Sequence, residues 1–164
     1  MLPKLENIPK NLLRINYDLD YEYLLDKAYK AERKQFYHHG RKEERIEGYT
    51  YSHYKDESLK YLVSKYGLDI KGKYNMKFVY ISPNTILDCH TDWGTKCAFN
   101  WILNDNEACI QYKNDRPYVY KSAIINTSAE HKVENINKER ILFKISVFEQ
   151  DYLETCKKFI TRFS

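Results

Sequence analysis

Between residues 75 and 148 the chain is written in short apolar runs separated by turn residues, and this pattern narrows the folds open to it. The runs lie at 75–82, 85–89, 96–103, 108–113, 117–121, 122–126, 131–134 and 139–148, and they are rich in Val, Ile, Phe and Tyr. Each has the length and texture of a strand rather than a helix. Eight short strands in so compact a stretch must bury their faces against one another, which points to an all-β barrel or sandwich.

The flanks read differently. Residues 19–36, "LDYEYLLDKAYKAERKQF", carry Tyr21, Leu24, Leu25, Ala28 and Ala31 at helical spacing, with a cap at Asp18 or Asp20. Residues 55–66, "KDESLKYLVSKY", read as a second helix with Leu59, Tyr61, Leu62 and Tyr66 inward and Gly67 as its stop. Between them, 37–54, "YHHGRKEERIEGYTYSHY", mixes bases with aromatics and shows no clean period. It reads as a long surface segment, or as a lid or recognition loop over a rigid scaffold. The closing stretch "EQDYLETCKKFITRF" is a terminal helix. One domain is expected, with helical or extended support at 1–73, the β core at 74–149 and a C-terminal helix at 150–164.

Composition closes off several classes of function. The chain holds 27 Lys and Arg against 23 Asp and Glu, a net charge of +4, without the concentrated basic face of a nucleic-acid module. With only five Gly and no G-x-G-x-x-G or Walker pattern, a phosphate-cradling loop is not expected. Sixteen Tyr suggest a core ringed by amphipathic aromatics. Cys89, Cys97, Cys109 and Cys156 form no C-x-x-C pair and read as free thiols, with Cys89 and Cys97 as small buried residues. The N-terminal "MLPKLENIPKNLLRINY" has no apolar run of the length a signal peptide or membrane span requires. A soluble, cytoplasmic protein with no membrane partner is the expectation. The abundance of Lys, Asn, Ile and Tyr fits an AT-rich genome, such as those of many phages.

The chemistry gathers at "DCHTDW", residues 88–93. His90 and Asp92 stand two residues apart at a strand's end, where alternation can bring both to one side. Of the other histidines, His38 and His39 lie in the polar segment and His53 among tyrosines, which leaves His131 at the head of the 131–134 run. Two imidazoles and a carboxylate on one face suit a divalent iron with three positions open. Arg140 follows His131 by nine residues (140 − 131). A hairpin of that size sets its guanidinium beside the site, and a planar fork is well shaped to grip a carboxylate.

With those residues in place the sequence resembles the Fe(II)- and 2-oxoglutarate-dependent dioxygenases. The phrases "ILDCHTDWGTKCAFNWIL" and "INTSAEHKVENINKERILFKISV" are similar in texture to compact prolyl-hydroxylase-like and aspartyl/asparaginyl-hydroxylase-like members, including small phage-encoded ones. The resemblance spans roughly 75–149 and does not extend over the first 74 residues. It implies a mainly β fold with flanking helices, a double-stranded β-helix or jelly roll, with the N-terminal helices packed on its larger sheet. It implies Fe(II) bound by His90, Asp92 and His131, and 2-oxoglutarate salt-bridged through its distal carboxylate by Arg140. Tyr80 and Asn100 are further candidates for contact with the co-substrate. The implied reaction uses O2 to hydroxylate an unactivated C–H bond, releasing succinate and CO2. The implied substrate is an amino-acid side chain in a small molecule, peptide or protein. Many aspartyl/asparaginyl hydroxylases lack the carboxylate ligand, so Asp92 places this chain nearer the general His-Asp-His type.

Other readings stay open at this stage. Two His and an Asp can also hold a catalytic zinc, although no general-base Glu motif adjoins them. A cupin is a rival on a similar barrel, although its H-x-H with a following Glu is missing. A nucleic-acid-directed dioxygenase is kept in view by the basic, aromatic 37–54 segment, and a non-catalytic jelly roll by the independence of fold and function. Trp93 is a candidate wall of the substrate pocket.

Overall fold

In the computed structural model, which describes residues 1–37, 45–92 and 94–164, three strands precede the predicted eight. They are β1 (Leu12–Arg14), β2 (Lys34–Tyr37) and β3 (Arg45–His53). The predicted runs follow as β4 (Tyr74–Ile81), β5 (Thr85–His90), β6 (Cys97–Ile102), β7 (Cys109–Tyr112), β8 (Pro117–Tyr118), β9 (Ser122–Ile125), β10 (His131–Asn135) and β11 (Arg140–Val147). They form two antiparallel sheets, one in the order β1-β9-β6-β11-β4-β3-β2 and the other β5-β10-β7-β8. From β4 onward the chain passes back and forth between the sheets, which is the path of a double-stranded β-helix, or jelly roll.

The larger sheet is covered on both faces. Its outer face, with Met76, Phe78, Phe99, Trp101 and Phe143, packs against α1 (Tyr21–Lys30) and α2 (Tyr152–Phe163) in one core. Its inner face, with Val79, Ile81, Ile102 and Leu142, meets Ile110 and Tyr112 of the smaller sheet in a second core. All eight residues of β11 are therefore buried. Period-two alternation on that strand separates two interiors rather than core from solvent. Arg140, Leu142, Lys144 and Ser146 share the inner face, and two charges on a strand with no solvent side must answer to something inside the barrel.

The flanks depart from the sequence reading in three places. α1 begins where expected, with the Asp20 side chain accepting the Tyr23 amide at 3.0 Å, but ends at Lys30 because the chain leaves to form the edge strand β2. The second helix is a 3-10 segment, Glu57–Val63, capped by Asp56. The surface-segment reading of 37–54 fails over 45–53, which is a full strand paired with β4. There "GYTYSH" alternates, with Tyr49, Tyr51 and His53 on the inner face and Ser52 on the outer. Gly48 lets β3 pass close to β5: its φ is +74°, and a Cβ would fall 2.4 Å from Thr85 Oγ1. The lid expectation, with His38 and His39, rests on 38–44, which lie outside the described residues. Among the described residues, no helix is long and apolar enough to cross a membrane.

Candidate metal centre

A register shift aims His90 into the barrel. On the paired strands β5 and β10, His90 lies opposite His131 and Leu87 opposite Val133. Three steps on β5 (90 − 87) match two on β10 (133 − 131), so β5 carries one extra residue, a β-bulge. Thr85 and Leu87 are buried, and unbroken alternation would send Cys89 inward after them. The bulge reverses the parity. His90 turns in and Cys89 is exposed, which corrects the expectation that Cys89 is buried.

The other sequence-predicted buried thiol does lie inside. Burial pushes Cys97 and Cys156 up to about 12, and the Cys97 thiol sits 3.3 Å from Thr155 Oγ1. Iodoacetamide at neutral pH is therefore expected to alkylate Cys89 and leave Cys97 and Cys156 unmodified in the folded protein. Peptide mapping by mass spectrometry reads this directly, and rapid labelling of Cys97 would contradict the packing.

The three predicted ligands converge. His90 Nε2 and His131 Nε2 lie 3.3 and 3.4 Å from Asp92 Oδ1, and one donor atom of each residue falls within 4.8 Å of the others. Each imidazole is fixed from behind: His90 Nδ1 is 2.6 Å from the Asp88 carbonyl oxygen and His131 Nδ1 is 2.8 Å from that of Ala129. A carbonyl only accepts, so each Nδ1 donates its proton and each Nε2 keeps the lone pair that a metal requires. His131 is buried, with the Tyr112 ring against it, whereas His90 and Asp92 are partly open to the barrel mouth. A Zn2+, Fe2+ or Mn2+ ion fits this set of two nitrogens and one oxygen.

Lys144 is the functional residue that sequence reasoning missed. Its buried ammonium donates to Asp92 Oδ2 at 2.9 Å. That bond holds one carboxylate oxygen and leaves Oδ1 toward the histidines, as a monodentate ligand. Burial opposes both charges. The carboxylate nevertheless raises the Lys144 pKa, and the ammonium holds Asp92 well below the usual carboxylate range. Lys144→Met leaves Asp92 buried without its partner, and loss of about 3–5 kcal/mol of stability is expected in the metal-free protein. Urea denaturation measures it. Added Mn(II) should restore more stability to this variant than to the parent, because the metal then neutralises the stranded carboxylate.

Behind the triad lies an inner chamber lined by Tyr49, Asn100, Tyr120, Arg140 and Lys144, together with the inward faces of His90 and His131. Arg140 is 2% exposed. Its Nη2 donates to Tyr120 Oη at 3.0 Å, but Nε and Nη1 have no hydrogen-bond partner among the described residues. Asn100 Nδ2 donates to the same tyrosine oxygen at 2.9 Å, and its Oδ1 has no hydrogen-bond partner among the described residues. With two donors directed at its oxygen, Tyr120 has its own hydroxyl proton available to an acceptor. Arg140 and Asn100 thus reach the chamber as the sequence suggested.

Tyr80 does not. It belongs to the outer face of β4, where its hydroxyl donates to the Ala28 carbonyl at 2.6 Å and lies 3.2 Å from Ser52 Oγ. The inward residues of β4 are Asn75, Lys77, Val79 and Ile81, so the whole sheet separates Tyr80 from the chamber. Tyr120 and Tyr49 hold the place that Tyr80 was expected to fill. Trp93 lies outside the described residues.

No family model matches this sequence, and no curated protein is similar to it. Among solved structures, a 2OG-Fe(II) oxygenase family oxidoreductase from Burkholderia pseudomallei aligns at 12% identity over 77% of this chain and 78% of its own, with a TM-score of 0.50. A likeness at that identity speaks to the fold alone. A cupin-2 domain from Rhodospirillum rubrum aligns at 8% identity over 85% of this chain and 78% of its own, with a TM-score of 0.47. In the complex of Rhodobacter sphaeroides SigE with the anti-sigma ChrR, this chain spans 44% of the matched chain, at 12% identity over 60% of its own length and a TM-score of 0.38. The last two are too distant to support an argument. The chain is a double-stranded β-helix, or jelly roll, that carries a His-Asp-His cluster able to hold a metal ion.

Proposed function

We propose that this protein is an Fe(II)- and 2-oxoglutarate-dependent dioxygenase that hydroxylates a C–H bond of an amino-acid side chain, free or within a peptide or protein. The observation that carries this reading is the Arg140 guanidinium, buried behind the His-Asp-His cluster with Nε and Nη1 lacking hydrogen-bond partners among the described residues. Burying a guanidinium with only Tyr120 against it and no carboxylate beside it costs several kcal/mol, so its presence in a barrel interior favours an anionic ligand there. The charges agree. The inner chamber carries Asp92 against Lys144 and Arg140, a net charge of about +1; a divalent ion adds two positive charges, and a dianion offsets them.

His90, Asp92 and His131 would hold the iron, and Arg140 with Tyr120 would hold the distal carboxylate of 2-oxoglutarate. The chemistry supplied by that pair is O2-dependent hydroxylation with release of succinate and CO2. The protein's own residues then have defined tasks. The carbonyls of Asp88 and Ala129 fix the imidazole tautomers, and Lys144 restrains Asp92 to one coordinating oxygen. The apolar inner core, with Leu87, Ile110, Val133 and Leu142, keeps bulk water from the chamber. A zinc hydrolase is less well supported, because Asp92 is the one carboxylate lining either chamber among the described residues, and it is already a ligand.

Protein reconstituted with Fe(II) and ascorbate in air is expected to convert 2-oxoglutarate to succinate, detected by mass spectrometry. Absence of succinate from a preparation shown to bind Fe(II) would contradict the proposal.

A further inference from the structure

We propose that Lys77 is the anion-binding element of the substrate pocket, and that the molecule presented to the metal centre carries a free carboxylate. This rests on the dioxygenase reading and names its substrate class.

The triad separates two spaces. Arg140 and His131 line the inner chamber, whereas an outer pocket toward solvent is lined by Phe36, Tyr49, Asn75, Lys77, Ser146 and Phe148. His90, Asp92 and Lys144 line both, so a molecule in the outer pocket lies against the metal cluster. Lys77 enters this pocket by strand parity, as the inward residue of β4 directly opposite Lys144 on β11.

Two lysines facing each other across an antiparallel pair repel. The two charges are not equivalent. Lys144 is committed to Asp92. Lys77 makes no hydrogen bond or ion pair among the described residues, and its Nζ lies 5.9 Å from the ring centroids of both Phe36 and Tyr51. Its pKa is lowered to about 8, first by burial and then by the Lys144 charge, against a smaller opposing pull from Asp92.

The next cross-strand pair outward is Asn75 opposite Ser146, and here too polar atoms are stranded: Asn75 Oδ1 and Ser146 Oγ are buried without hydrogen-bond partners among the described residues. Two donors, one uncommitted ammonium and one hydroxyl, therefore gather beside aromatic walls, with the Asn75 amide oxygen as an acceptor next to them. A single charge balances a monoanion, and a carboxylate can accept from an ammonium and a hydroxyl together. Arg140 is already committed to the co-substrate, so this second cation is left for the substrate.

The test uses the full chain loaded with Mn(II) and saturating 2-oxoglutarate. It is titrated with a panel of N-acetyl amino acids and their matching C-terminal primary amides, and paramagnetic broadening of probe protons reports binding beside the metal. At least one acid is expected to bind at roughly millimolar concentration, with its amide at least about tenfold weaker. Lys77→Gln should weaken the acid by about tenfold or more while leaving the Mn(II) and 2-oxoglutarate affinities unchanged, and Lys77→Arg should retain binding. Amides that bind as tightly as acids, a Lys77→Gln variant that binds acids as the parent does, or failure of every acid to bind would each overturn the proposal. Failure of the parent to bind Mn(II) or 2-oxoglutarate would instead count against the dioxygenase reading. The same panel on the metal-free protein, followed by saturation-transfer NMR, then judges the subsite by the same acid–amide criterion.

Discussion

His131→Ala is expected to abolish binding of Fe(II) or Mn(II), a loss well beyond the roughly 10- to 100-fold that changes outside the ligand set produce. The fold should survive. Among the described residues the polar contacts of the His131 side chain are the Ala129 carbonyl and Asp92, which Lys144 also supports. The far-ultraviolet spectrum and the urea midpoint should therefore stay close to those of the parent, while calorimetric titration shows no metal binding. The distinction matters because His131 is the one ligand buried on the inner side of the cluster. A variant that kept metal affinity with the fold intact would mean that the three residues are a hydrogen-bonded cluster and nothing more.

Arg140→Ala should separate the two binding events. The metal ligands lie on β5, on β10 and just past the end of β5, so Mn(II) affinity is expected to change little. 2-Oxoglutarate binding to the Mn(II) protein should weaken by about 2–5 kcal/mol, roughly 30- to 4,000-fold, the range for truncating one side of a buried, hydrogen-bonded charge pair. The stability change carries a sign of its own. Removing a guanidinium that lacks two of its partners should cost little in the ligand-free protein and can even stabilise it. A variant that bound 2-oxoglutarate as tightly as the parent would place the co-substrate elsewhere, or remove it from the protein's chemistry.

Much of this architecture could be read from the residues. The eight core strands were legible because each apolar run is cut by turn residues, and the jelly-roll path then placed His90, Asp92, His131 and Arg140 around one interior. β3 was hidden because its flanking bases resemble a surface segment. Only pairing with β4 gives its Tyr and Ser alternation a meaning. Tyr80 misled for a related reason. Both faces of β4 are buried, so alternation shows that two faces exist but not which one looks into the barrel. The β5 bulge leaves no mark in "TILDCH", yet it decides that His90 rather than Cys89 points inward.

Lys144 did leave a signal. In "RILFKISV" it stands four residues after Arg140 and shares its parity, and a lysine amid so apolar a strand asks for a buried partner. Lys77 carries the same signature in "NMKFVYI", which directs attention to the outer pocket.

The most direct test of the central claim is anaerobic titration of the metal-free protein with Fe(II) and 2-oxoglutarate, followed by visible absorption. A weak metal-to-ligand charge-transfer band that requires both additions, and that Arg140→Ala loses at the same concentrations, is the expected result. Fe(II) binding without that band at saturating 2-oxoglutarate would contradict it.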